Sequence, residues 1–80
     1  MKNHNEMQLQ ILHEMHTCSR AFKRKLNILD ALDRDNEFDL HDQITLMKES
    51  NEKIADTLSK SRTMMSNILG ISNEHDIESG

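Results

Sequence analysis

A short acidic stretch, residues 33–39, separates two long segments in which apolar residues recur at helical spacing. Four of its seven residues are Asp or Asn, whose side chains compete with the helical backbone for hydrogen bonds. Asp39 is also a good N-cap for a following helix, and Asn36 readily takes a positive φ. If the stretch turns, the chain is a helical hairpin; if it stays helical, the chain is one long rod.

The heptad phase gives a second reason to expect a turn. The a positions of the two segments are Met15, Phe22 and Leu29, then Ile44, Asn51, Leu58 and Met65. The two frames differ by one residue across the acidic stretch, and a continuous coiled coil would have to unwind locally to absorb that step. We therefore predict an all-α fold, an antiparallel coiled-coil-like hairpin of two helices. The alternative is a single long coiled-coil helix.

Capping residues set the predicted boundaries within one helical domain, residues 1–80. The first helix is predicted over residues 5–34, where Asn3 followed by Glu6 resembles a capping box. A turn over residues 35–39 leads to the second helix, residues 40–69. Gly70 followed by Ile71 is typical of a helix end with a left-handed residue. Residues 72–80 are polar and acidic, and are expected to form a flexible tail.

Size and composition indicate that the hairpin associates with another helical surface. The chain has 80 residues, 35% of them apolar, and only two aromatic residues, Phe22 and Phe38. So small a chain cannot bury a large core by itself, and two helices that share one seam leave apolar surface uncovered. We therefore expect dimerisation into a helical bundle, or pairing with a different helical protein.

The expected partner-binding surface is the apolar stripe of both helices, which also carries several methionines. Its predicted residues are Met15, Phe22, Leu29, Ile44, Met47, Ile54, Leu58, Met65 and Ile68. Methionine side chains are flexible and polarizable, so a surface rich in them accommodates varied partners. Asn51, at an a position, is expected to be buried and to specify the register of the seam at some cost in stability.

A basic cluster on the first helix supports an alternative function. Arg20, Lys23, Arg24 and Lys25 are possible phosphate contacts, and a dimer that presents them would resemble a nucleic-acid-binding regulator. The net charge of the chain is −4, which argues against this alternative. A solvated helix face, or a dock for the acidic middle segment of another copy, explains the cluster better, so nucleic acid is an unlikely partner.

The sequence gives no reason to expect a metal or a cofactor. His13 and His16 are spaced to chelate a metal, but they fall at positions f and b, opposite the predicted seam, and Cys18 points into the seam. Surface histidines are the better interpretation. Residues 33–44 lack the Gly and the Glu that an EF-hand loop needs at its sixth and twelfth positions, so calcium is rejected.

No catalytic constellation is recognisable, and we expect the protein not to be an enzyme. The single cysteine excludes an intrachain disulfide and fits a reducing compartment. The sequence has neither an apolar run of membrane-spanning length nor a signal-peptide pattern, so a cytoplasmic location is expected. The predicted function is that of a small protein–protein interaction module: an adaptor, a co-chaperone or a regulatory subunit.

Overall fold

The computed structural model describes residues 3–34 and 39–70 of the chain. Within them the chain forms two α-helices, α1 (His4–Asp33) and α2 (His41–Leu69). The predicted ranges, 5–34 and 40–69, differ from these bounds by at most one residue. Neither helix carries an apolar stretch long enough to span a membrane. Most of the predicted turn, residues 35–38, and the predicted tail lie outside the described residues.

The two helices lie side by side in opposite directions. Contacts between them join later residues of α1 to earlier residues of α2. Examples are Asp30 with Lys48, Ser19 with Asn51, and His16 with Ser59. Because position along one helix rises as position along the other falls, the helices are antiparallel. The predicted hairpin is confirmed, and the alternative of one continuous helix is wrong.

The start of α1 is fixed by the residues that the sequence indicated. The backbone N–H of Glu6 donates to Oδ1 of Asn3 at 2.8 Å, and Nδ2 of Asn3 lies 3.4 Å from Oε1 of Glu6. Asn3 is the N-cap, with an extended backbone. A side-chain cap of this kind contributes about 1 kcal/mol to helix stability, so this end follows from local chemistry alone.

The start of α2 differs from the prediction that Asp39 is its N-cap. The N-cap is Leu40, whose side chain makes no capping hydrogen bond. Two aspartates instead accept from the first N–H groups. Oδ1 of Asp39 accepts from His41 N at 3.1 Å, and Oδ1 of Asp33 accepts from Leu40 N at 2.9 Å. Since the first amides of a helix have no intrahelical acceptor, the Asp33 side chain joins the end of α1 to the start of α2.

Gly70 ends α2 as predicted. It has φ 70° and ψ 21°, the left-handed region that glycine enters without the steric penalty of a Cβ. Its N–H donates to the carbonyl oxygen of Asn67 at 3.1 Å and so satisfies one of the last carbonyls of the helix. Ile71, which was predicted to follow this helix end, lies outside the described residues.

The seam between the helices follows the predicted frame in α2. Ile44, Asn51 and Leu58, predicted at consecutive a positions, are all buried, and Met65 is partly covered. The other covered residues of α2 include Lys48, Ala55, Arg62 and Leu69 at e positions, and Thr45 and Ser66 at b positions. Of the d positions that the frame favoured, Met47 and Ser61 are partly covered, whereas Ile54 and Ile68 are exposed. The d side of α2 therefore lies at the margin of the seam.

In α1 the seam lies on a different side from the one predicted. The buried residues are Leu9, Ser19 and Leu26, at positions b and e, whereas Met15 and Phe22, predicted at a, are 48% and 44% exposed. The apolar stripe of α1 spans a, d and e, which is wider than a single helix can cover. Because α2 packs on its e edge, the a and d positions are left facing solvent.

Candidate protein-interaction groove

One wall of an open groove between the helices is formed by the uncovered stripe of α1. Ile11, Met15, Cys18 and Phe22 follow one another at intervals of four, three and four residues, which places them on the same side of the helix. Ile11, Met15 and Phe22 are each about half exposed, and the Cys18 thiol is exposed. This wall is therefore apolar and accessible along about three turns.

The opposite wall belongs to α2. Leu46, Met47 and Ile54 line it, and Ile54 is 54% exposed. Asn51 and Leu58 form the floor, where the groove meets the buried seam. A ligand that fills the groove would thus touch apolar side chains on both walls and the amide of Asn51 at the bottom. The polar side chains of Ser19, Gln43 and Ser50 also line the groove.

The groove is continuous and almost free of charge. It consists of two adjoining depressions of about 600 Å³ and 320 Å³, which share Phe22, Asn51 and Ile54. Glu14 is the only charged residue among those that line either depression, although 30% of the chain is charged. Charged side chains thus lie mainly elsewhere on the hairpin, and an uncharged apolar strip of this length marks a surface suited to binding.

Five of the predicted partner-binding residues line the groove: Met15, Phe22, Met47 and Ile54 in its walls, and Leu58 in its floor. The other four do not line it. Leu58 is only 5% exposed, and Ile44, at 1%, is fully enclosed in the seam. Leu29 and Met65 are partly covered, and Ile68 is exposed outside the lining of the groove. Ile44 and Leu58 therefore hold the hairpin together and present almost no surface to a partner.

Three hydrophobic residues that line the groove, Ile11, Cys18 and Leu46, were not among the predicted partner-binding residues. Ile11 belongs to the d positions of α1 and was available from the same heptad frame. Cys18 was expected inside the seam, but it is exposed in the groove because α2 packs on the neighbouring edge of α1. Leu46 falls outside the a/d frame of α2, and no periodicity signal indicates it.

A buried polar pair crosses the seam beneath the groove. Ser19 Oγ donates to Oδ1 of Asn51 at 2.8 Å, and Nδ2 of Asn51 donates to the carbonyl oxygen of Ser19 at 3.0 Å. Both residues are buried. The pair is satisfied in only one alignment of the helices, since a shift of either helix would leave buried polar groups without partners. The predicted burial of Asn51 in the seam is confirmed, and its two hydrogen bonds with Ser19 favour this register.

An ion pair joins the helices close to their connected ends. Nζ of Lys48 lies 3.2 Å from Oδ2 of Asp30, and Nδ1 of His41 lies 3.8 Å from Oδ1 of the same carboxylate. The hydrogen bond from Lys48 lowers the pKa of Asp30 below its usual value, and the charges of Lys48, Arg34 and His41 act in the same direction. The carboxylate form of Asp30 is thus the one that the folded state favours.

The stability of the hairpin should therefore depend on the charge of Asp30. A carboxyl whose pKa is lower in the folded than in the unfolded state adds stability above its unfolded pKa, and this stability is lost as the pH falls through the folded value. We expect urea unfolding to show a larger loss of stability for the native protein than for Asp30→Asn as the pH falls from 6 to below about 4. Equal losses in the two proteins would contradict this assignment.

The sequence frame predicted that His13 and His16 of α1 both face away from α2, and for His16 this is wrong. His13 is exposed, whereas His16 is partly covered, with Nε2 3.4 Å from Ser59 Oγ and Nδ1 3.5 Å from Nη1 of Arg62. Position b belongs to the seam in α1, which explains the difference. Burial, followed by the charges of Arg62 and Arg20 and the neighbouring His13, lowers the pKa of His16. Within the described residues no three His, Cys, Asp or Glu side chains are grouped to hold a metal ion.

The basic cluster does not form a single face. Arg20, Lys23, Arg24 and Lys25 are all exposed. Successive residues of an α-helix point about 100° apart, so Lys23 and Lys25 are directed about 200° from each other. None of the ion pairs formed within residues 3–34 and 39–70 includes a member of the cluster. A phosphate backbone could contact only some of these cations at once.

No protein-family model matches the chain, and no curated protein or solved structure shows significant similarity to it. The fold and the groove by themselves define a class of molecule. It is a two-helix hairpin that is held in one register by a buried Ser–Asn pair and carries an open apolar groove along one face.

Proposed function

We propose that this protein is a small protein–protein interaction module that holds an amphipathic helix in its groove. Such a module would serve as an adaptor, a co-chaperone or a regulatory subunit. The observation that carries the proposal is the continuous apolar lining of the groove, with Glu14 as its only charged residue. Large apolar side chains that remain exposed to water in one strip are the usual mark of a surface that is covered in the working complex.

The geometry of the groove fits a helix. Two packed helices form a furrow, and a third helix lies in such a furrow at an interaxial distance of about 8–10 Å. The α1 wall offers anchors at the three- and four-residue intervals typical of helix-in-groove recognition. Met15 and Met47 stand on opposite walls, and their flexible side chains would adapt the groove to the shape of the bound helix.

A cytoplasmic location is part of the same proposal. Cys18 is the only cysteine of the sequence, so it has no partner for an intrachain disulfide, and it is exposed. A reducing compartment keeps an exposed thiol of this kind in its free form.

Site-specific photo-crosslinking in living cells tests the proposal. A photoreactive phenylalanine analogue replaces Met15 in the groove or, as the matched control, Glu52, which is exposed and points about 200° around α2 from Ile54. We expect protein adducts from position 15, none from position 52, and loss of the adducts when Ile54→Asp adds a charge to the groove. Equal adducts from both positions, or none from position 15, would contradict the proposal.

The nucleic-acid alternative has less support, because the four cations of the basic cluster point in different directions around α1. It makes a distinct prediction, however. Binding of duplex DNA through these cations would weaken steeply as salt concentration rises, whereas binding of an apolar helix in the groove would respond little. Steeply salt-dependent DNA binding that is unaffected by Ile54→Asp would therefore replace the interaction-module proposal with this alternative.

A further inference from the structure

We propose that the occupant of the groove is a second copy of this chain, packed groove to groove, with α1 antiparallel to α1 of its partner. The four helices would form a bundle with a two-fold axis that crosses α1 near residue 20. This inference rests on the proposed function, because it names the occupant of the same groove. Three observations carry it: the size of the face, the positions of its apolar residues and the positions of its charges.

The face that carries the groove is large enough for a stable dimer. The hairpin measures 52 × 24 × 19 Å, so its broad face covers on the order of 1,200 Å². A standard protein–protein interface buries about 800 Å² on each partner. Two hairpins stacked on this face would form four neighbouring antiparallel helices of nearly equal length, since α1 has 30 residues and α2 has 29.

The apolar residues near the ends of α1 are placed symmetrically about residue 20. Ile11, which is exposed, lies nine residues before this point, and Leu29, which is partly covered, lies nine residues after it. Met7 lies thirteen residues before it and Leu32 twelve after it, and both are exposed in the hairpin. A two-fold axis at residue 20 therefore brings Ile11 opposite Leu29 of the second copy, and Met7 close to Leu32 of the second copy.

The residues near the axis follow the same symmetry. Cys18 and Phe22 lie two residues before and two residues after residue 20, and both line the groove. The axis thus seats each Phe22 ring against Cys18 of the other copy, where the small thiol leaves room for the ring. In a two-fold interface every such contact is made twice, so one favourable pair of positions stabilises the dimer twice.

The charges of α1 select the antiparallel arrangement. Glu14 lines the groove, and Lys25, seven residues after Cys18, lies on the same side of the helix. Their midpoint falls between residues 19 and 20, so the same axis brings each Glu14 within reach of Lys25 of the other copy. A two-fold axis parallel to the helices would instead place α1 opposite α2 of the other copy, and would leave Glu14 and Lys25 without each other as partners. The opposite charges therefore favour the antiparallel arrangement of the two α1 helices.

Charge reversal tests the arrangement by analytical ultracentrifugation. We expect Glu14→Lys and Lys25→Glu each to raise the dissociation constant of the dimer about tenfold, because two attractive pairs become repulsive. Mixing the two variants should give a heterodimer of nearly native affinity, since both of its pairs are again of opposite charge. The double variant E14K/K25E should recover the native affinity as a homodimer for the same reason.

Three controls accompany the measurement. Glu52→Lys makes the same change of net charge as Glu14→Lys, but on a side of α2 that points about 200° from Ile54, and should alter the dissociation constant less than about twofold. Maleimide should label the native Cys18 more slowly in the dimer than in Glu14→Lys at the same concentration, because Phe22 of the other copy covers the thiol. Circular dichroism of each variant verifies that the helices remain formed, so that weakened association is not confused with unfolding.

The outcomes separate this inference from the proposed function. A native protein that stays monomeric at high micromolar concentration, or single variants that do not recover affinity when mixed, would overturn the inference. If the crosslinker at position 15 still captured another protein through the groove, the proposed function would stand without the second copy. If position 15 gave no adduct and the protein were monomeric, both the proposed function and the dimer inference would be contradicted.

Discussion

Replacing Leu58 with Asp is expected to unfold the hairpin. Leu58 is 5% exposed and lies in the middle of the seam, where a carboxylate would lose most of its contact with water. Loss of a buried leucine costs about 2–5 kcal/mol, and the transfer of a charge out of water adds to that cost. The whole free energy of unfolding of a small domain is only about 5–15 kcal/mol, so this single change removes most or all of it.

Thermal melts followed by circular dichroism measure this effect. The matched comparison is His13→Ala on the exposed side of α1, which should change the free energy of unfolding by less than about 0.5 kcal/mol. At a protein concentration that keeps the hairpin monomeric, the helical signal of Leu58→Asp should be largely lost while that of His13→Ala is retained. The reverse ranking would show that the seam of α2 is not centred on Leu58.

The second large effect is expected at the buried polar pair. Asn51→Leu removes both hydrogen bonds with Ser19 and leaves its hydroxyl buried without a partner, which costs about 1–3 kcal/mol. Adding Ser19→Ala removes the buried hydroxyl that Asn51→Leu leaves without a hydrogen-bond partner. We therefore expect the double variant to recover most of the lost stability, because two apolar side chains of fitting size replace a satisfied polar pair at little cost.

A double-mutant cycle in urea measures the coupling between Ser19 and Asn51. A coupling free energy of about 1–2 kcal/mol is expected for a buried, reciprocal pair. Additive effects of the two single changes would contradict a direct interaction. The double variant should also lose specificity of register, which distances between spin labels on α1 and α2 would report as a broadened distribution.

The sequence predicted those features of the fold that depend on neighbouring residues. Asn3 and Gly70 were identified as the boundaries of α1 and α2 because a cap and a left-handed glycine act within a few residues of their own position. Asp39 was misjudged as an N-cap for the opposite reason. The acceptor for the first amide near the start of α2 comes from Asp33, and a contact between two helices leaves no local signal.

The same distinction explains the seam and the groove. In α2 the heptad frame correctly indicated Ile44, Asn51 and Leu58 as buried. In α1 the a, d and e positions form one wide apolar stripe. Periodicity alone does not show which of these positions a single partner helix covers. Because α2 covers the e positions of α1, Met15 and Phe22 are exposed. The groove therefore results from tertiary packing, whereas the apolar stripes that form it are evident in the sequence.

The hydrogen bond from Leu40 N to Asp33 Oδ1 also bears on the order in which the chain folds. It spans only seven residues, whereas the contact between His16 and Arg62 spans 46. The entropic cost of closing a loop rises with its length, so the contacts nearest the acidic stretch form at the smallest cost. Contacts between the helices should then form progressively, from the end nearest the acidic stretch towards the opposite end of the hairpin. Asp30, Asp33, Leu40 and Lys48 would belong to the folding nucleus, and the termini of the hairpin would be the last part to order and the first to fray.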